Sequence, residues 1–130
     1  MRLRFSQTAS ARRQISSDRL IVDSGSNAHL FASLDFFPHG ITRYALNVGV
    51  ADARATLTLD GYGPARIEFL DLSTDPPAWQ FLDLPEAWFS PHGNNLISSE
   101  TLIRDQLFDD FSSRRLTWPH QSGSPIIQLH

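Results

Sequence analysis

Cysteine and lysine are both absent from this 130-residue chain, and methionine occurs only once. Without cysteine the chain has no disulfide and no thiolate metal site, which suits a reducing compartment. No apolar run approaches the roughly 20 residues that a membrane-spanning helix needs, and the polar start lacks the apolar centre of a signal peptide. We therefore expect a cytoplasmic protein.

Charge and histidine spacing argue against several kinds of ligand. The net charge of −3 creates no whole-domain field for nucleic acid or anionic lipid, although Arg2, Arg4, Arg12 and Arg13 form a locally basic stretch. The histidines show no ligand spacing, so we expect them to be surface or hydrogen-bonded structural residues. They are His29, His39, His92, His120 and His130. The sequence predicts no metal, no cofactor, no membrane partner and no requirement for nucleic acid.

The residues that are present predict one globular domain. Hydrophobic residues make up 41% of the chain and include nine phenylalanines, enough for a packed core. Residues 1–17 are rich in Ser, Arg and Gln with little periodicity, which predicts a flexible leader or linker. The domain is then expected to span 18–130. No internal repeat is present, which excludes a two-lobed protein built by duplication.

Alternating apolar residues predict an all-β fold. The apolar run 20–22 predicts a strand buried on both faces that ends in a polar turn at 23–27. Alternation continues at 46–50, 57–59 and 65–69, and 125–129 is typical of a final strand. The glycines in 60–64 predict the mobile tip of a long hairpin.

Two further segments depart from this alternating pattern. The proline-rich stretch 71–95 is expected to be mostly loop with one or two short strands. A short helix is expected from Ser98 to about Leu107, capped by Ser98 or Ser99, with Leu102, Ile103 and Leu107 facing the core. Glu100 and Arg104 are spaced for an i,i+4 ion pair on it.

Three motifs in order carry a family resemblance. A buried strand ends in Asp-Ser-Gly at 23–25, a Gly-Tyr-Gly follows at 61–63, and Asn-Leu-Ile at 95–97 precedes a short helix. This order resembles the retropepsins, and in particular the aspartic proteases of copia-type long-terminal-repeat retrotransposon polyproteins. Members of that group commonly place a small residue and then a histidine after the Asp-Ser-Gly, here Ser26 and His29. The resemblance covers about residues 18–129.

The resemblance implies a retropepsin-like closed barrel with one short C-terminal helix, active as a symmetric homodimer on an extended peptide or polyprotein. It also implies a cytoplasmic setting that includes retrotransposon virus-like particles. The residues that it assigns to catalysis are Asp23, Ser24 and Gly25. The residues that it assigns to substrate binding are Ser26, Asn27, Gly61, Tyr62, Gly63, Leu96 and Ile97, with 61–63 as a flap over the substrate.

Carboxylate chemistry explains why such an enzyme needs two chains. One ionised carboxylate must take a proton from water while a neutral one donates to the scissile carbonyl, and one aspartate cannot do both. The chain has a single Asp-Ser-Gly, so a two-fold axis must bring two copies of Asp23 together. Two charges about 3 Å apart at an effective dielectric of about 20 repel by roughly 5 kcal/mol, so the pair holds one proton.

Other functions remain open at this stage. A catalytically silent domain of the same fold would serve as a dimerisation or peptide-binding module, and an unrelated β-barrel binding module is a third hypothesis. The presence of Ser24 near His29 suggests a serine hydrolase as a further hypothesis, but the Gly-x-Ser-x-Gly pattern of a nucleophile elbow is absent.

Overall fold

The computed structural model describes residues 2–6, 9, 20–50, 56–71, 75–105, 115–117 and 125–128. Their strands are β1 (Ile21–Asp23), β2 (His29–Phe31), β3 (Thr42–Gly49), β4 (Thr56–Asp71), β5 (Ala78–Phe89), β6 (Leu96–Ser98), β7 (Arg115–Thr117) and β8 (Pro125–Gln128). A 3-10 turn at Leu34–Phe36 follows β2, and one short helix, α1 (Ser99–Arg104), follows β6. The all-β class and the final strand predicted from the sequence are confirmed.

Six strands form one mixed sheet in the order β1-β6-β2-β5-β4-β3, and β7 pairs with β8 separately. β1 runs parallel to β6 and β2 runs parallel to β5, whereas β3, β4 and β5 are antiparallel neighbours. The sheet has β1 and β3 at its two edges, so over the described residues it is open and the predicted closed barrel is not formed. As an edge strand, β1 is only partly buried, which differs from the expected burial on both faces.

The predicted hairpin tip at 60–64 is wrong. Residues 61–63 lie inside the continuous strand β4, where Gly61 pairs with Arg43 on one side and with Phe89 on the other. A Cβ on Gly61 would lie 2.5 Å from the carbonyl oxygen of Thr42. Glycine is therefore present because a neighbouring backbone approaches closely, as glycine inside a strand often indicates. β3 and β4 are antiparallel neighbours, and 51–55 between them lie outside the described residues.

The prediction that 71–95 is mostly loop is also wrong, because β5 is twelve residues long. Its buried residues Leu82 and Leu84 alternate with exposed neighbours, the pattern of a half-buried strand. The pairing of β4 with β5 shifts register next to Pro64 and Pro85. Proline cannot donate to the ladder and is tolerated at such irregularities, so it does not end either strand.

Two apolar clusters form the core, and the central strands contribute to both. On β2, Leu30 belongs to one cluster and Phe31 to the other; on β6, Leu96 and Ile97 are divided in the same way. Successive side chains of a strand point to opposite faces, so these short strands are buried on both sides. β2, which follows the 23–27 turn, and β6, which pairs with β1, are therefore packed on both faces, whereas β1 itself is only partly buried.

The helix begins where the sequence predicts and ends earlier. Ser98 is its N-cap and accepts a hydrogen bond from the Thr101 N–H, which confirms that part of the prediction. Leu102 is fully buried as expected, whereas Ile103 is 53% exposed, so its predicted core position is wrong. Leu107 lies outside the described residues. A helix able to cross a membrane does not occur among the described residues.

Residues 2–6 and 9 fall in the range expected to be a flexible leader, yet they pack against the domain. Phe5 and Ala9 are fully buried, and Phe5 forms a parallel bridge with Val50 at the end of β3. We refer to Arg2–Ser6 as the arm.

Candidate active site

The turn after β1 holds the Asp23 carboxylate with short local hydrogen bonds. Its Oδ1 accepts from the Gly25 N–H at 2.7 Å, and its Oδ2 accepts from the Ser26 hydroxyl at 3.3 Å and from the Ser6 hydroxyl. An ionised carboxylate only accepts, so these donors match it. Asp23 is half-buried while Ser24 and Gly25 are exposed, which leaves this end of the edge strand accessible.

Hydrogen bonds from the junction of β6 and α1 hold the turn in place. Asp23 is level with Ser98 in the parallel pairing of β1 and β6. The Ser98 hydroxyl donates to the Ser26 carbonyl at 2.6 Å, and the Thr101 hydroxyl donates to the Asn27 carbonyl at 2.9 Å. One serine therefore caps the helix and holds the turn, through a hydrogen bond between residues 72 positions apart in the sequence.

His29 completes this support as a buried neutral imidazole. Its side chain is fully buried, and Nδ1 accepts from the Ser98 N–H at 3.1 Å. Burial lowers the pKa of His29 to about 4; the Asp105 carboxylate opposes that change and Arg104 adds slightly to it. The acceptor nitrogen is occupied by a backbone N–H, so His29 is a structural residue, as expected, and is not a base for the exposed Ser24.

The residues expected to bind substrate divide into two groups. Ser26 and Asn27 lie in the turn beside Asp23, and both are buried. Leu96 and Ile97 are core residues, and Gly61 and Gly63 lie within the sheet. A Cβ on Gly63 would come within 2.8 Å of the Gly40 carbonyl oxygen, so this glycine too meets a close backbone.

Tyr62 lies in an aromatic group beside a large cavity. Its ring is 5.1 Å from that of Trp88 and 6.4 Å from that of Tyr44. The cavity has a volume of about 840 Å³, and these three rings line it together with Glu86 and parts of β3. The arm forms part of its wall through Arg2 and Leu3.

A second cavity of about 330 Å³ adjoins the first. It is lined by residues 2–5 of the arm and by Gly49 and Val50 at the end of β3. The arm therefore lies between the β3 end and the Asp23 turn, with open volume along it.

Arg4, Phe5 and Ser6 contact the site and were not among the predicted site residues. A signal was present in the sequence: in the arm, the apolar residues Leu3 and Phe5 alternate with polar ones, the period of a strand. The polar composition of 1–17 as a whole concealed that short pattern. A composition average over seventeen residues does not detect a five-residue segment of this kind.

No family model, curated protein or solved structure matches this chain. The described residues contain no cluster of His, Cys, Asp and Glu side chains placed to hold a metal ion.

Proposed function

We propose that this chain is an aspartic endopeptidase of the retropepsin type, in which Asp23 of two identical chains forms a dyad that activates water. The observation that carries the proposal is the position of the Asp23 carboxylate. It lies in a tight turn at the accessible end of an edge strand and is held by the Gly25 N–H and the Ser26 hydroxyl. Carboxylates that perform acid–base catalysis need this kind of fixed orientation.

The surroundings of Asp23 support a two-fold arrangement. Ser24 and Gly25 are exposed, and β1 is at the sheet edge, so a second copy has access to the turn. In the dimer, Ser24 would bond across the axis and each Asp23 would share one proton with its partner. One member of the pair would take a proton from water as the other donates to the peptide carbonyl.

The substrate would be an extended peptide, including junctions of the retrotransposon polyprotein to which such a protease belongs. Asn27 lies beside the Asp23 turn, and both its main chain and its side chain hydrogen-bond main-chain groups of the arm. Gly25 permits the arm to approach closely, since a Cβ at position 25 would lie 3.0 Å from the Ser6 Cβ. Hydrogen bonds of this strand-like kind bind peptides largely independently of their sequence.

A catalytically silent peptide-binding or dimerisation module is the second candidate. The observation that favours it is that Asn27 already pairs with an extended peptide segment, the arm, without any chemistry.

Substitution Asp23→Asn separates the two candidates. It keeps the size of the side chain and removes the titrating carboxylate, so we expect cleavage of casein or an extended peptide at roughly pH 4–6 to fall by a factor of about 10² to 10⁴. Asp35→Asn, which changes an exposed aspartate on the 3-10 turn, is the matched control and should retain activity. Mass measurement in solution at micromolar concentration should give a dimer for all three chains.

Two results would contradict the proposed dimeric aspartic protease. One is a monomer whose rate of peptide cleavage equals that of the dimer. The other is a folded dimer in which Asp23→Asn and wild type have the same rate, including a rate of zero in both. If both folded dimers bind peptide and neither cleaves it, the result supports the silent module.

A further inference from the structure

The arm pairs with the Asp23 turn as an added strand would. The Arg4 N–H donates to Asn27 Oδ1 at 2.7 Å, the Asn27 Nδ2 donates to the Arg2 carbonyl at 2.7 Å, and the Asn27 N–H donates to the Arg4 carbonyl at 3.0 Å. Three hydrogen bonds from one residue to alternate main-chain groups are the pattern by which a protein recognises an extended peptide. None of them depends on the identity of the arm's side chains.

The other side of the arm faces the end of β3. Phe5 bridges Val50, and its fully buried ring belongs to the cluster that includes Leu30 and Leu96. The arm is therefore held between two walls, with one apolar side chain inserted into the domain. Cavities of about 840 and 330 Å³ continue along it, so the space that it occupies is part of a longer groove.

The arm ends on the candidate catalytic group itself. The Ser6 hydroxyl donates to Asp23 Oδ2, and the Ser6 N–H donates to the Ser26 hydroxyl at 3.0 Å. Arg4 adds contacts to the Gly25 carbonyl at 3.3 Å and to the exposed Glu100 at 2.7 Å. A peptide substrate would need Asn27 and Asp23 for the same purposes, so arm and substrate cannot be bound together.

We propose that Arg2–Ser6 is an intramolecular inhibitor that occupies the peptide groove of the Asp23 site and must leave it before another extended peptide binds. This proposal rests on the proposed function, because it takes the Asp23 turn as the place where peptide is bound. The exposed position of the Arg4–Glu100 ion pair fits a releasable contact, since such pairs hold weakly.

Two substitutions in the full chain release the arm in different ways. Phe5→Asp places a charge where the buried ring lies, which disfavours insertion. Arg4→Pro keeps Phe5 and removes the N–H that Asn27 binds. If the arm occupies the groove in nine of ten wild-type molecules, either change raises the apparent affinity for peptide about tenfold.

The probe is a fluorescent peptide with the sequence of residues 2–9, and fluorescence anisotropy reports its binding. We expect it to bind both variants at least about tenfold more tightly than wild type, and kcat/KM for an extended substrate to rise by a similar factor. A matched peptide with aspartate in place of its phenylalanine should bind neither variant. Thermal melting checks that each variant is folded.

The outcomes distinguish this inference from the proposed function. Equal peptide affinity in wild type and both folded variants overturns the inference, whatever the activity. Variants that unfold and do not refold with added peptide also overturn it, because the arm is then a permanent part of the core. If tighter peptide binding occurs without any Asp23-dependent cleavage, the arm still occupies a peptide groove and only the catalytic proposal fails.

Discussion

His29 should make the stability of this fold sensitive to mild acid. Its imidazole is fully buried and accepts from the Ser98 N–H, and burial lowers its pKa from 6.5 to about 4. Between those two pH values the unfolded chain binds a proton at His29 and the folded chain does not. The free energy of unfolding therefore falls as the pH falls from about 6.5, and this loss levels off below pH 4.

The magnitude follows from the two pKa values. Proton linkage with 6.5 in the unfolded chain and about 4 in the folded chain gives a loss of about 2 kcal/mol between pH 7 and 5, and about 3 kcal/mol by pH 4. Total stabilities of domains are usually 5–15 kcal/mol, so this is a large fraction. This loss of stability falls in the mildly acidic pH range in which the proposed Asp23 dyad would act. Ser98, which donates to His29, also holds the Asp23 turn.

Urea denaturation at pH 7, 6, 5 and 4 tests the reasoning. His29→Asn keeps a hydrogen-bond acceptor near the position of Nδ1 and does not titrate, so it should be less stable at pH 7 but lose about 2 kcal/mol less between pH 7 and 5. His39→Asn removes an exposed histidine and should leave the wild-type slope unchanged. If His29→Asn and wild type have the same slope, a different group is responsible and the linkage argument is wrong.

Two further predictions concern packing, both measured by urea denaturation at pH 7. Gly61→Ala places a Cβ 2.5 Å from the Thr42 carbonyl oxygen and should cost about 1–3 kcal/mol, whereas Gly49→Ala, with nothing within 4 Å, should change stability by about 0.5 kcal/mol or less. Equal effects at the two glycines would contradict the close approach of β3 to β4. Leu102→Ala removes a fully buried side chain and should cost about 2–5 kcal/mol, whereas Ile103→Ala, at a half-exposed position on the same helix, should cost less than about 1 kcal/mol; the reverse order would contradict the orientation of α1.

The candidate site was partly predictable because its strongest signals are local. A short apolar run ending in Asp-Ser-Gly predicts a strand that delivers a carboxylate into a turn, and both features depend on neighbouring residues. Ser98 as a helix cap is equally local, since its hydroxyl binds the Thr101 N–H three residues later. These elements were predicted close to their observed positions.

The segment 60–64 shows why features that depend on distant residues were not predictable from the sequence. Glycine and proline favour turns, but they also occur where a strand has a bulge or meets another backbone closely. The residues that decide between these cases are Thr42 and Gly40, which lie about twenty positions away in the sequence. A local pattern contains no information about such a neighbour.

The strand that ends at Asp23, the turn that follows it and the cap of the helix follow from the sequence alone, because short-range sterics and hydrogen bonding determine them. Only the tertiary structure decided that Ser98 supports both the helix and the Asp23 turn, and that His29 is buried and neutral. It alone decided that Arg2–Ser6 lies on the candidate catalytic carboxylate. Those arrangements join distant parts of the chain, and packing of the whole domain, rather than any local preference, determines which distant residues meet.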